Sequence, residues 1–190
     1  DAPRELAARE RLAQSLHACK NRHYTTLVAH GGLEPRPGVR RLIGQCLSQD
    51  IALAVATTTS RGNVEALFPH LFGTRWHELF RAVVCAEDAP RKKPDPLVYR
   101  LAIAGLGCRS CEALAMEDSP AGLAAARAAG VACLITRSSY FDNADFTGAA
   151  WICANLDAPV RRSNTASART DVAALRAIHA HPPLPGGQSP

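Results

Sequence analysis

The sequence predicts an α/β fold: a doubly wound, mainly parallel sheet with helices on both faces. Three observations carry this. From about residue 39 onward, short apolar runs of strand character alternate with stretches of helical periodicity, and such alternation makes successive strands parallel. The apolar run Ala113 to Met116 stops at two adjacent carboxylates, Glu117 and Asp118, which puts both acids at a strand's C-terminal end, where open α/β sheets bind ligands. Directly afterwards Ser119 suits a helix N-cap, Pro120 the first turn and Gly130 the left-handed exit, with a nearly all-alanine helix between them that can lie close to a sheet.

In chain order, Leu6, Leu12, Leu16, Cys19, Tyr24, Leu27 and Val28 recur at helical spacing and predict one long or two short amphipathic helices through about His30. The glycines and prolines of residues 31–38 read as a linker or hinge. A helix over about Val39 to Ser48 then leads to the strand Ile51 to Ala56, a polar turn Thr57-Thr58-Thr59-Ser60, and a helix through Leu71. The strand Ala82 to Cys85 and a helix from about Pro96 to Ala104 form the next unit. The strand Leu114 to Met116 with its alanine helix forms another, and the strands Val131 to Thr136 and Trp151 to Cys153 complete the set. From Ala158 the sequence loosens, predicting a flexible tail over 158–190 that holds at most one short helix, Asp171 to His179.

Composition narrows the function classes. The 190 residues carry a net charge of +5, yet the basic residues are scattered and aromatics make up only 5%. That lacks the basic patch interleaved with stacking residues that nucleic-acid binders show. No apolar run reaches the length of a membrane span. Seven cysteines, mostly in apolar contexts and without a signal-peptide pattern, predict reduced thiols in a cytoplasmic protein. Cys108-Arg109-Ser110-Cys111 has CxxC spacing but no second pair or histidines nearby, and reads as a plain loop. A small phosphorylated substrate and a monomer are the expectation.

The chemistry-bearing residues follow successive strands. Acids in a helix's first turn are commonly a solvated helix start. Glu117 and Asp118, however, sit before the cap and after a buried strand, where adjacent negative groups are costly unless a cation joins them. Magnesium, which takes one or two carboxylates together with phosphate and water, is the natural partner. Thr57, Thr58, Thr59 and Ser60 run into a helix starting near Arg61, a setting for phosphate as well as for a simple capping turn. In Arg91-Lys92-Lys93-Pro94-Asp95-Pro96 the prolines hold Lys93 extended, and Asp95 can cap the following helix. Hydroxyl, lysine and paired carboxylates together suit phosphoryl transfer.

These stretches, Val55 to Thr59, Lys92 to Pro96 and Met116 to Gly122, resemble the second, third and fourth motifs of the haloacid dehalogenase-like hydrolases. The wording over Ala56 to Asn63, Arg91 to Tyr99 and Ser139-Tyr140 is similar to the CbbY group of sugar-phosphate phosphatases. The resemblance implies a HAD-like Rossmannoid core over 33–157, preceded over 1–32 by the end of a helical cap. It implies that Thr57 bonds the transferring phosphoryl group, that Lys93 holds it, and that Thr58 to Arg61 line the phosphate side. Glu117 and Asp118 would bind magnesium, and Lys20 of the cap would reach the substrate. The implied activity is a magnesium-dependent phosphatase acting through an aspartyl-phosphate, with a substrate such as xylulose 1,5-bisphosphate and a role in Calvin-cycle carbon fixation. Phosphoglycolate phosphatases and β-phosphoglucomutases share the motifs, and a phosphate-binding module without turnover is the reading from another class.

One departure stands out. The family's first motif, an Asp-x-Asp-Gly-Thr run that supplies the nucleophile, has no counterpart here, and no two aspartates stand two apart. The strand carrying it would lie between the strand ending at Thr57 and the one ending at Met116, so the expectation is a piece of a longer protein, inactive alone, with two buried strand edges left without partners.

Overall fold

The computed structural model describes residues 5–29, 31, 33–158, 160–162, 165–167 and 169–180. The expected periodicity becomes one continuous helix, α1 (Leu6–Ala29). It packs along α3 (Arg61–Phe72). Val28 is buried there, but Leu6, Leu12, Leu16 and Leu27 are exposed, because α1 has little besides α3 to bury them against.

The linker after α1 is fastened rather than loose. Arg36 donates from its guanidinium to the Thr136 carbonyl (2.9 Å), the Thr136 hydroxyl (2.7 Å), the Ala154 carbonyl (3.0 Å) and the Arg137 carbonyl. Gly38 then turns the chain at φ 85°, where a Cβ would lie 2.6 Å from that of Leu156, so a side chain is excluded both by the left-handed backbone and by space. The turn leads into α2 (Val39–Leu47).

The α/β core follows as expected in kind, but its sheet is in two pieces. Strand β1 (Ala54–Ala56) pairs in parallel with β2 (Ala82–Val84). Separately, β3 (Leu114–Glu117), β4 (Ala132–Thr136) and β5 (Trp151–Cys153) form a parallel sheet in that order. Helices α4 (Leu97–Leu106) and α5 (Pro120–Ala128) join the strands. The two faces of β4 show why the layers form: Cys133 and Ile135 are buried in one apolar cluster with Val98, Tyr99, Ala102 and Leu123, whereas Leu134 is buried in another with Leu42 and Cys46 of α2. Successive side chains point to opposite faces, and each fully buried Leu or Ile stabilises by roughly 1.5–3 kcal/mol.

β1 is shorter than the expected Ile51 to Ala56, since pairing on its far edge is absent among the described residues. Between β1 and β3 lies a cavity of about 600 Å³ whose lining includes Leu53, Ala54, Ala56, Leu114, Ala115 and Met116. Helix α4 contributes Tyr99, Ala102 and Ile103 on one side; Cys46 and Val172 belong to the opposite layer.

The expected tail needs correction. Residues 160–162 and 165–167 form an antiparallel hairpin, β6 and β7, and α6 (Val172–Ala180) docks on the core with Val172 2% and Ile178 1% exposed. The core therefore does not end at residue 157: the apolar face of α6 completes the layer begun by α2. The remainder of the tail, 181–190, lies outside the described residues, as do residues 1–4, His30 and Gly32 of the expected cap segment. No described helix is long and apolar enough to cross a membrane. All seven cysteines, Cys108 and Cys111 included, are free thiols.

Candidate functional site

The site grows from the C-terminal ends of β1 and β3. Where β1 ends, the chain turns through Thr57 to Ser60 into α3. The Thr57 N–H donates to the Val84 carbonyl (3.0 Å), tying the turn to β2. The Thr57 hydroxyl accepts from the Thr59 N–H (3.1 Å), and the Thr59 hydroxyl from the Asn63 side-chain amide (3.0 Å). Ser60 is the N-cap of α3, its hydroxyl accepting from the Asn63 N–H at 3.4 Å. Thr57, Thr58, Thr59 and Ser60 are all half-buried, a short polar rim on an apolar strand.

The helix start is already occupied by protein carboxylates. The Arg61 N–H donates to both Glu87 oxygens (3.1 and 3.0 Å), and its guanidinium to Asp88 (2.6 Å). Asp88 also accepts from the Cys85 N–H at 2.8 Å, which, ahead of the Arg61 charge, holds its carboxyl below the usual range. The end of α3 nearest Arg61 is thus neutralised from within, and the backbone N–H groups of Thr57, Thr59 and Arg61 all already donate within the protein.

Lys93 bridges the two sheets. Its ammonium donates to the Ala56 carbonyl at the end of β1 (2.9 Å) and to the Glu117 carboxylate at the end of β3. The same carboxylate accepts from the Tyr99 hydroxyl, and the Lys93 ammonium lies 5.0 Å from the Tyr99 ring centre. Side-chain exposures of 15% for Lys93 and 8% for Glu117 make this a buried pair. Such a pair needs further hydrogen bonds to offset its desolvation, and Ala56 and Tyr99 supply them. Burial, then the Glu117 charge, push the Tyr99 hydroxyl far above its usual pKa, so it stays a donor.

Glu117 fits only because residue 122 is glycine. A Cβ on Gly122 would lie 2.0 Å from one carboxylate oxygen and 2.6 Å from the other. The Gly122 N–H is taken by the Ser119 cap at 3.0 Å, which sets α5 beside the strand end.

The structure therefore brings Lys93 and Glu117 into contact and places Thr57 and Asp118 one residue beyond the strand ends they share. Glu117 faces inward to Lys93 and Tyr99; Asp118 follows it, half-buried, toward the α5 start. Two adjacent carboxylates suit a magnesium site completed by phosphate and water, although no group of three or more His, Cys, Asp or Glu side chains with metal-binding geometry occurs among the described residues. Lys20 stands exposed on α1 and makes no described bond to these residues. Sequence reasoning left Tyr99, Gly122, Glu87 and Asp88 without roles. Gly122 lay inside a quoted motif, but only the distance to Glu117 explains it.

Comparison with known proteins points to one family. The family model described as haloacid dehalogenase-like hydrolase matches residues 2–136. The CbbY protein of Cupriavidus necator is 38% identical over 170 residues, covering 87% of this chain and 67% of its own length. That of Rhodobacter capsulatus is 40% identical over 143 residues, covering 75% of this chain and 63% of its own. The crystal structure of a mutant CbbY from Rhodobacter sphaeroides in complex with xylulose-(1,5)bisphosphate superposes with a TM-score of 0.71 at 37% identity, over 75% of this chain and 63% of that one. The chain thus spans about two thirds of the length of these relatives. With the family model matching most of the chain and the fold superposing on CbbY, the chain belongs to the haloacid dehalogenase-like hydrolases.

Proposed function

We propose that these residues form the phosphate- and metal-handling part of a magnesium-dependent sugar-phosphate phosphatase. The observation that carries the reading is Lys93, seated between the ends of β1 and β3 beside Thr57 and the paired acids. The substrate class, a sugar bisphosphate such as xylulose 1,5-bisphosphate, is supported by the CbbY structure bound to that compound; a part in Calvin-cycle carbon fixation rests on the resemblance in sequence alone.

In this reading the Thr57 hydroxyl donates to one phosphoryl oxygen, and the Lys93 ammonium neutralises charge there. Asp118 would hold magnesium, while Glu117, held by Lys93 and Tyr99, would orient the acidic pair. When bound, the metal neutralises charge developing on the phosphoryl oxygens. Lys20 serves from the cap side. The phosphoryl group passes to an aspartate outside these 190 residues, so this chain alone is inactive.

The test measures inorganic phosphate binding to the purified chain by ³¹P NMR, with and without magnesium, alongside phosphate release from xylulose 1,5-bisphosphate. Magnesium-dependent binding, lost in Thr57→Ala and Lys93→Met, with no turnover, is the expected result. Turnover by this chain would overturn the external nucleophile, and binding unaffected by Lys93→Met would overturn the site.

A further inference from the structure

Asn63 is one of two buried polar side chains among the described residues, at 9% exposure. A buried amide is costly unless its polar atoms are paired, and its side-chain N–H donates to the Thr59 hydroxyl oxygen at 3.0 Å. The Thr59 N–H in turn donates to the Thr57 hydroxyl oxygen at 3.1 Å. The backbone of this turn is fastened separately: the Thr57 N–H bonds to the Val84 carbonyl (3.0 Å), the Ala86 N–H to the Thr59 carbonyl (2.9 Å), and the Asn63 N–H to the Ser60 carbonyl (3.1 Å). What the backbone leaves undetermined is the rotation of the two hydroxyl groups. A hydroxyl has one hydrogen to give and two lone pairs to accept with. Each oxygen here already accepts one bond, and among the described residues neither hydroxyl donates to a protein acceptor. Accepting polarises an O–H group into a better donor. Thr57 and Thr59 are therefore a pair of donors with both hydrogens unspent, half-buried at the strand end that Lys93 reaches.

We propose that Asn63 is a positioning residue: its amide holds the Thr59 side chain in one rotamer with the hydroxyl hydrogen left free, making Thr59 a second donor, beside Thr57, to oxygens of the phosphorylated substrate. The donor role rests on the phosphatase reading; the fixed rotamer does not. The place of Asn63 on α3 explains its reach. Helix side chains tilt toward the N-terminus, so the third residue of α3 points back over the turn that Ser60 caps. An amide also suits the place where other side chains do not. A carboxylate there could only accept, so the Thr59 hydrogen would turn inward, and a buried negative charge would stand near the anion. An apolar side chain of the same size would leave the Thr59 oxygen without its donor and the side chain free to rotate.

The experiment uses the purified 190-residue chain with magnesium and two readouts. Three-bond couplings to the Thr59 methyl report its rotamer without any ligand, and a ³¹P NMR titration with xylulose 1,5-bisphosphate reports affinity. The expected result is a single Thr59 rotamer in the unsubstituted chain that becomes averaged in Asn63→Leu. Thr59→Ala should weaken binding about tenfold, the loss of one hydrogen bond to a charged group, and Asn63→Leu about fivefold. In a Thr59→Ala background Asn63→Leu should cost less than about twofold, because the hydroxyl it positions has gone. Asn63→Asp covers the case in which Asn63→Leu does not fold. It should keep the single rotamer and still weaken binding about tenfold, with most of that loss vanishing in Thr59→Ala. A Thr59 rotamer indifferent to Asn63→Leu, or an Asn63 penalty undiminished in Thr59→Ala, as a merely structural role would give, overturns the proposal. Saturable binding insensitive to Thr59→Ala overturns the donor role and leaves the phosphatase reading standing. No binding by the unsubstituted chain overturns the phosphatase reading and the donor role with it.

Discussion

Replacing Gly122 by alanine tests the seating of Glu117 directly. In a helix the exchange alone is favourable by up to about 1 kcal/mol, since alanine loses less backbone freedom. Here the new Cβ would lie 2.0 Å from a Glu117 oxygen and 2.2 Å from its carboxyl carbon. The carboxylate ends a flexible side chain and can swing away, so the clash itself is soon relieved. The relief separates Glu117 from Lys93 and Tyr99, both largely buried. Breaking a buried pair costs about 3–5 kcal/mol, and subtracting the propensity gain leaves a net loss of about 2–4 kcal/mol. Equilibrium urea unfolding measures it, with Gly62→Ala as the control because nothing lies within 4 Å of a Cβ built there. The control should be neutral or slightly stabilised. In a Glu117→Ala background, Gly122→Ala should lose its penalty and also become neutral or stabilising. A Gly122→Ala protein as stable as the control would refute the tight seat, and a penalty persisting without Glu117 would refute its cause.

Arg36→Ala removes a guanidinium that joins the linker to the ends of β4 and β5 through Thr136, Arg137 and Ala154. It should destabilise by about 2–3 kcal/mol, with Arg36→Lys recovering less than half, because one ammonium cannot span carbonyls that the planar fork reaches; urea unfolding of both variants checks this. The Cys133 thiol is pushed up to about 12, first by burial and then by the Glu117 charge, while Cys111 is exposed. At pH 8 alkylation should therefore label Cys111 and spare Cys133, as peptide mapping will read. Burial also raises Cys46, Cys153 and Tyr99. Groups whose folded pKa is raised favour the fold fully below their ordinary values, so stability should fall as pH rises above the ordinary thiol value of 9.0. A melting temperature unchanged between pH 8 and 10.5 would contradict that.

What could be read from residues alone divides along a physical line. The order of strands and helices was legible because period and punctuation are local: the alanine helix after Ser119-Pro120 and the strand before Glu117 stand where their spacing puts them. The hairpin and the docked α6 were not. A stretch holding Pro159, Arg161 and Arg162 looks loose by composition, and only the unfilled layer over Leu42, Leu134 and Cys153 gives Val172 and Ile178 something to bury against. The same holds at the site. Lys93 and the paired acids were visible as residue types that phosphate chemistry uses, but the inward turn of Glu117 depends on Tyr99, five residues past a proline on another element, and on the absence of a single Cβ at Gly122. Pairwise relations of this kind have no signature in one sequence. The split sheet is the instructive middle case. The resemblance, through the missing first motif, already implied a gap between the strands ending at Thr57 and Met116, and the two pieces of sheet are consistent with it. Coordinates add its size and the lysine at its end. The motifs locate where phosphate would sit, while the coordinates alone show that the strand ends around it belong to two separate pieces of sheet joined at Lys93.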